Sequence, residues 1–195
     1  TSGDTGKAAL EGFKDVEGTC IKVFYPLDGV SAIQQQQMVS QEGKNVKVVG
    51  IHGNFDDAQS AVKVAFGDKM LKEVSDKHHV FLSSANSINV GRLIPQIVYY
   101  FYSYFELVRN KEIEMGDQVN FCVPSGNFGN CLAGWFAKNM GLPVNKFIAA
   151  SNKNNILTDF FTTGKYDANR EFFKTNAPAM DILVSSNLER LVWYM

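Results

Sequence analysis

The chain has 195 residues, 45% hydrophobic and 20% charged, with 19 basic and 20 acidic side chains and a formal net charge of −1. Length allows one large domain or two small ones, and the composition excludes wholesale disorder. The charge balance leaves no field to draw in nucleic acid or an anionic membrane. Three cysteines, an odd number, build no disulfide framework. They read as free thiols of a reducing compartment, so a cytoplasmic location is expected. The most apolar stretch, Leu93 to Val108, is shorter than the ~20 residues of a spanning helix and contains Gln96, Ser103 and Glu106, so no membrane partner is expected.

Hydrophobic periodicity predicts a helix over Thr5 to Lys14, then a strand over Cys20 to Tyr25. Ser31 to Gln41 reads as a helix whose glutamine run, Gln34 to Gln37, forms a solvated face. Val46 to Ile51 is a strand, and Asp56 to Val74 is helical with a break near Gly67. A short strand is expected over His79 to Leu82, and a long aromatic helix over Ile88 to Asn110. Val119 to Val123 is a strand, Asn130 to Met140 a helix, Lys146 to Ala150 a strand and Asn155 to Thr163 a helix. A last helix starts near Met180. Short apolar strands alternating with helices predict an α/β fold: a three-layer αβα arrangement around an open, mostly parallel sheet. Ligands of such sheets bind beyond the carboxyl ends of strands.

Two loops follow predicted strands, and a third of similar chemistry opens the chain. Pro124-Ser125-Gly126-Asn127-Phe128-Gly129-Asn130 follows a strand and leads into a helix. Its glycines permit a tight bend, and the helix N-terminus adds free N–H groups and partial positive charge, which suits a phosphate or carboxylate. The plainer alternative is a ligand-free turn with Asn130 as the helix cap. Thr1-Ser2-Gly3-Asp4-Thr5-Gly6 offers hydroxyl and backbone donors before another helix. Alone it reads equally as a capped helix start, with Asp4 or Thr5 as the cap. Ser84-Ala85-Asn86-Ser87-Ile88-Asn89-Val90-Gly91-Arg92 gathers amides, hydroxyls and one guanidinium at a helix start. It too has the alternative of a multiply capped helix with a surface arginine.

Taken together, TSGDTGKAALEGF, PLDGVSAIQQQQM, SANSINVGRLIPQIVYYF and VPSGNFGNCLAGWFAKNMGLP, in this order, closely resemble the threonine synthase family, in its longer bacterial and fungal type. The resemblance runs to at least about Leu188. It implies a fold type II enzyme that uses pyridoxal 5′-phosphate (PLP). The implied reaction converts O-phospho-L-homoserine and water to L-threonine and phosphate, with PLP as electron sink. By the same resemblance Gly126, Asn127, Phe128, Gly129 and Asn130 cradle the PLP phosphate. Thr1, Ser2, Gly3, Asp4 and Thr5 lie beside the cofactor and hold the substrate carboxylate. Asn86, Ser87, Asn89 and Arg92 are assigned to the substrate phosphate or the cofactor ring.

The family's Schiff-base lysine belongs to a motif upstream of the Ser-Gly-Asp-Thr loop, and no lysine of this sequence sits in such a motif. The first residue is Thr1 rather than Met, and Trp193 and Tyr194 end the chain within a helical pattern. The expectation is a central segment of a larger enzyme, inactive alone, with a small substrate-side α/β subdomain over 1–88 and part of a large PLP-binding domain over 89–195.

Of the remaining residues, His52 follows a strand and could face the crevice but reads as an incidental loop histidine, and His78-His79 has no cysteine or carboxylate at metal spacing, so no zinc site is expected. Cys20 and Cys122 read as core, and Cys131 as packing behind the phosphate loop. The aromatic run Tyr99 to Phe105 is expected between the sheet and a neighbouring domain. The alternatives are another fold type II PLP enzyme, a dehydratase or sulfhydrylase, and a non-catalytic module that keeps the phosphate site. A plain nucleotide-binding domain is disfavoured, since neither G-x-G-x-x-G nor a P-loop is present.

Overall fold

The computed structural model describes residues 3–87 and 89–195. They form two compact units that divide between Asn86 and Ser87. The first unit runs α1 (Gly3–Phe13), β1 (Ile21–Pro26), α2 (Ala32–Val39), β2 (Val46–Ile51), α3 (Phe55–Gly67) and α4 (Lys69–Lys77). β1 and β2 pair in parallel, from Ile21 opposite Val46 to Pro26 opposite Ile51. α2 is the crossover that parallel pairing requires. Leu10, Val23, Tyr25, Val30 and Met38 make the core of this unit.

Local chemistry sets the helix ends. Ser31 and Gln34 form a reciprocal capping box at the start of α2. Gln34 is therefore buried, and the solvated face expected of the glutamine run is confined to Gln36 and Gln37. The break expected near Gly67 falls at Asp68, which ends α3 and caps α4 by accepting from Leu71 N at 2.9 Å.

The strand expected over His79 to Leu82 does not form. His79 has φ of 54°, outside the extended region. The amides of His79 and Val80 bond back to Asp76 O and Ser75 O, so these residues close α4 instead. Phe81 is 93% exposed, and a short apolar run without a pairing neighbour has no ladder to join.

The second unit holds α5 (Val90–Leu93), a 3-10 turn (Ile94–Gln96), α6 (Ile97–Arg109), β3 (Val119–Pro124), α7 (Gly129–Asn139), β4 (Val144–Ala150) and α8 (Ile156–Thr163). A second 3-10 turn (Pro178–Met180) and α9 (Leu188–Tyr194) complete it. β3 and β4 pair in parallel from Val119 opposite Val144 to Pro124 opposite Ala150, with an irregularity after Val119. The chain is thus α/β with parallel sheets, one pair of strands in each unit among the described residues. The single long helix expected over Ile88 to Asn110 is interrupted by the 3-10 turn at Pro95, which has no N–H to donate. The last helix begins at Leu188 rather than near Met180, where only the short 3-10 turn forms.

α7 is the central element of this unit. Cys131, Leu132, Ala133 and Ala137 are buried in the main core. On the same helix, Gly134 lets two rings approach its backbone. A Cβ there would stand 2.6 Å from Phe147 Cε1 and 2.7 Å from Tyr100 Cζ. Tyr100 also meets Phe121 edge-on, with ring centroids 4.8 Å apart. α6 is buried on one side only. Tyr100 and Tyr104, one turn apart, lie inside, while Tyr99 and Tyr102 are 61% and 64% exposed. Cys20 and Cys122 are exposed rather than core. Cys20 precedes β1, and Cys122 alternates with the buried Val123 and so faces the other side of β3.

Gly134→Ala is expected to cost about 1–3 kcal/mol of stability by overpacking. Gly12→Ala, which meets nothing within 4 Å on α1, is expected to be neutral or stabilising. Chemical denaturation of the two variants checks the contrast, and equal midpoints would refute it.

Candidate functional site

The loop between β3 and α7 is fixed at both ends. Ser125 N donates to Ala150 O at 3.2 Å, extending the β3–β4 ladder by one residue. Three residues later Phe128, the N-cap of α7, adopts φ 61° and ψ 6°. A left-handed phenylalanine costs roughly 1–2 kcal/mol. Its ring is buried and packs 5.7 Å from that of Phe161, which offsets that cost.

No side chain caps α7. The first helical bond runs from Leu132 N to Phe128 O at 2.9 Å. The amides of Gly129, Asn130 and Cys131 therefore have no acceptor within the helix, and they carry the positive end of its dipole. The loop and first turn contain serine, asparagine, glycine, phenylalanine and cysteine, and no acid. Such a donor set suits an anion.

The segment before α9 braces this loop from beneath. Asn187 donates twice to Asn127 O, from its backbone N at 3.1 Å and from Nδ2 at 3.0 Å. Ser186 Oγ donates to Asn127 Oδ1 at 3.3 Å. A Cβ on Gly126 would lie 3.1 Å from Ile182 Cγ1, and one on Gly129 would lie 3.4 Å from Asn187 Nδ2. Glycine at position 126 is what lets the loop rest on this segment. Sequence reasoning missed Ile182 and Asn187. The only local signal was an asparagine before the apolar-periodic Leu188 to Tyr194, and nothing there pointed to a loop 60 residues earlier.

Asn130 is not the helix cap that the plainer reading required. It lies inside the first turn, and its side chain is committed to neighbours. Tyr100 Oη donates to it, 2.7 Å from Oδ1 and 2.9 Å from the backbone O. Asn130 Nδ2 donates to Gln96 Oε1 at 3.2 Å. Burial pushes the Tyr100 hydroxyl well above the ordinary tyrosine range, so it stays a donor. Gln96 in the 3-10 turn and Tyr100 in α6 thereby join these two elements to the start of α7.

The other predicted residues divide. Ser87 stands beside the loop, its Cβ 3.6 Å from the position a Cβ on Gly129 would take. Asn89 caps α5, its Oδ1 accepting from Gly91 N at 2.8 Å. Arg92 lies one turn on, and partial desolvation lowers its guanidinium pKa. Asn86, whose N–H donates to Ser84 Oγ at 3.1 Å, belongs to the first unit. Thr1 and Ser2 lie outside the described residues. Gly3, Asp4 and Thr5 form the first turn of α1 rather than a preceding loop, with Asp4 complementing the helix dipole. Cys131 is buried. Desolvation pushes its thiol up to about 11, outweighing the opposing hydrogen bond with Ser125.

The whole chain is 45% identical to threonine synthase of Saccharomyces cerevisiae, covering 36% of that protein. It is 46% identical to mouse threonine synthase-like 1, covering 27% of it. Among solved structures it superposes on PLP-bound threonine synthase from Brucella melitensis with a TM-score of 0.80, at 43% identity over the whole chain and 39% of that structure. Over its whole length the chain is similar to a portion of the threonine synthases. No protein-family model matches it. It spans about a third of the length of the yeast threonine synthase that it matches. Likeness to threonine synthase covers both units, so the β3–loop–α7 turn and the first turn of α1 both lie within the shared fold. Among the described residues no helix is long and apolar enough to cross a membrane.

The thiols provide a check on this geometry. At pH 8 a group with a pKa of about 11 is roughly one part in a thousand thiolate. Iodoacetamide is expected to label the exposed Cys20 and Cys122 under native conditions and Cys131 only on unfolding. Native labelling of Cys131 at a comparable rate, read by peptide mass mapping, would contradict the buried assignment.

Proposed function

We propose that the intact protein carrying this chain is a threonine synthase: a cytoplasmic PLP-dependent carbon–oxygen lyase that converts O-phospho-L-homoserine and water to L-threonine and phosphate. One observation carries the reading. An uncapped helix, α7, follows a glycine loop whose carbonyl at Asn127 is held by Asn187, so the loop and first turn offer N–H groups rather than oxygens. In this reading Gly126, Asn127, Phe128, Gly129 and Asn130 hold the phosphate of PLP. Asn130 acts there through its backbone, since its side chain serves Tyr100 and Gln96.

When bound, PLP supplies an electron sink for chemistry at the substrate's α and β carbons. The chain's own residues bind and orient. Ser87, Asn89 and Arg92 are read as facing the substrate phosphate or the cofactor ring, with Asn86 assigned the same role. The Thr1 to Thr5 segment is read as the carboxylate site, where first-turn amides of α1 supply donors. Residues 1–88 then serve as the substrate-side subdomain and 89–195 as part of the cofactor domain. With no lysine in the family's Schiff-base motif, the chain alone is expected to bind phosphate ligands without turnover. A second reading, a ligand-binding module of the same fold, rests on the equal similarity to threonine synthase-like 1. Turnover of O-phospho-L-homoserine by the intact protein separates the two.

In that intact protein Gly126→Val is expected to weaken PLP binding about tenfold or more by lifting the loop off Ile182, and Arg92→Ala to raise KM for O-phospho-L-homoserine by a similar factor. Equilibrium titration with PLP and a phosphate-release assay read these. Unchanged constants in both variants would overturn the residue assignments.

A further inference from the structure

Asn187 and Arg190 link two segments that the proposed function treats separately. Asn187 is fully buried, and both its backbone N and its Nδ2 donate to Asn127 O. Its Oδ1 accepts from Arg190 Nη1 at 2.9 Å. The same Nη1 lies 3.4 Å from Ser87 O. Ser87 in turn stands against Gly129 at the head of α7. A circuit closes through Asn127, Asn187, Arg190, Ser87 and Gly129.

The chemistry of the peptide group gives this circuit a purpose. In a trans peptide the C=O and N–H point in opposite directions. Two donors on Asn127 O hold that carbonyl toward Asn187, so the Phe128 N–H of the same peptide is turned away from it. A flipped peptide would present an oxygen where the loop otherwise presents a donor, and an oxygen repels a phosphate. An asparagine amide can also turn end for end. Arg190, which only donates, fixes Asn187 with Oδ1 toward itself and Nδ2 toward the loop.

We infer that Asn187 and Arg190 are positioning residues that set the donor orientation of the Gly126 to Asn130 loop and its spacing from Ser87, and so the affinity of the site for a phosphate monoester. The inference rests on the reading of that loop as the phosphate site.

The test compares equilibrium binding of PLP and of pyridoxal, which lacks the phosphate, to the intact protein. The ratio of the two affinities isolates the phosphate's contribution, since the other contacts are common to both. Asn187→Asp keeps size and the acceptor for Arg190 but loses the Nδ2 donor. Arg190→Met keeps the stem and loses the hydrogen bonds to Asn187 and Ser87. Both are expected to lower the ratio about tenfold, the size of one charge-assisted hydrogen bond, with Arg190→Lys between them and the wild type. An unchanged ratio in folded Asn187→Asp or Arg190→Met protein overturns the inference, even if Tm falls, because a brace that only stabilises would affect both ligands alike. If Arg190→Met does not fold, the isosteric Asn187→Asp decides. A wild-type ratio near one refutes the phosphate-loop reading itself, which is a distinct result from a variant that matches a high wild-type ratio.

Discussion

Two hydrogen bonds from Asn187 to one carbonyl oxygen, Asn127 O, decide what the β3–α7 loop can offer a ligand. With that oxygen occupied, the peptide that follows is fixed and Phe128 is held in the left-handed region. α7 then begins without a side-chain cap, and its first amides have no acceptor in the helix. The phosphate reading of this loop follows from the arrangement: an anion would take the place that a capping serine or aspartate fills in an ordinary helix.

Such a loop functions only on a rigid platform, and the second unit provides one. α7 is buried along Cys131, Leu132, Ala133 and Ala137, and Gly134 admits the rings of Tyr100 and Phe147 against its backbone. The same Tyr100 reaches back with its hydroxyl to Asn130. One residue thus packs the helix through its ring and orients the helix start through its oxygen. From the 3-10 turn, Gln96 Oε1 accepts from the other end of the Asn130 amide. Core packing and site geometry are here the work of the same side chains, so a change in one is expected to register in the other.

Much of this was legible in the sequence. Period-2 and period-3.6 patterns located β1 to β4 and most helices, because short apolar runs bounded by glycine and proline have few other solutions. The glycines at 126 and 129 marked the loop for the same reason. What was not legible depends on partners distant in sequence. His79 to Leu82 looked like a strand, and no local signal records that it finds no ladder. Asn130 looked like a cap, while its side chain answers to Gln96 and Tyr100 some 30 residues earlier. Asn187 and Arg190 showed no motif at all, since bracing a loop 60 residues away leaves no local spacing to read.

The most direct test of the central claim is a crystal structure of the intact protein with PLP bound. The account predicts phosphate oxygens within about 3.2 Å of the amide nitrogens of the Gly126 to Asn130 loop and the first turn of α7, with Asn127 O still on Asn187. A phosphate held elsewhere, or an Asn127 carbonyl turned toward the ligand, would contradict it.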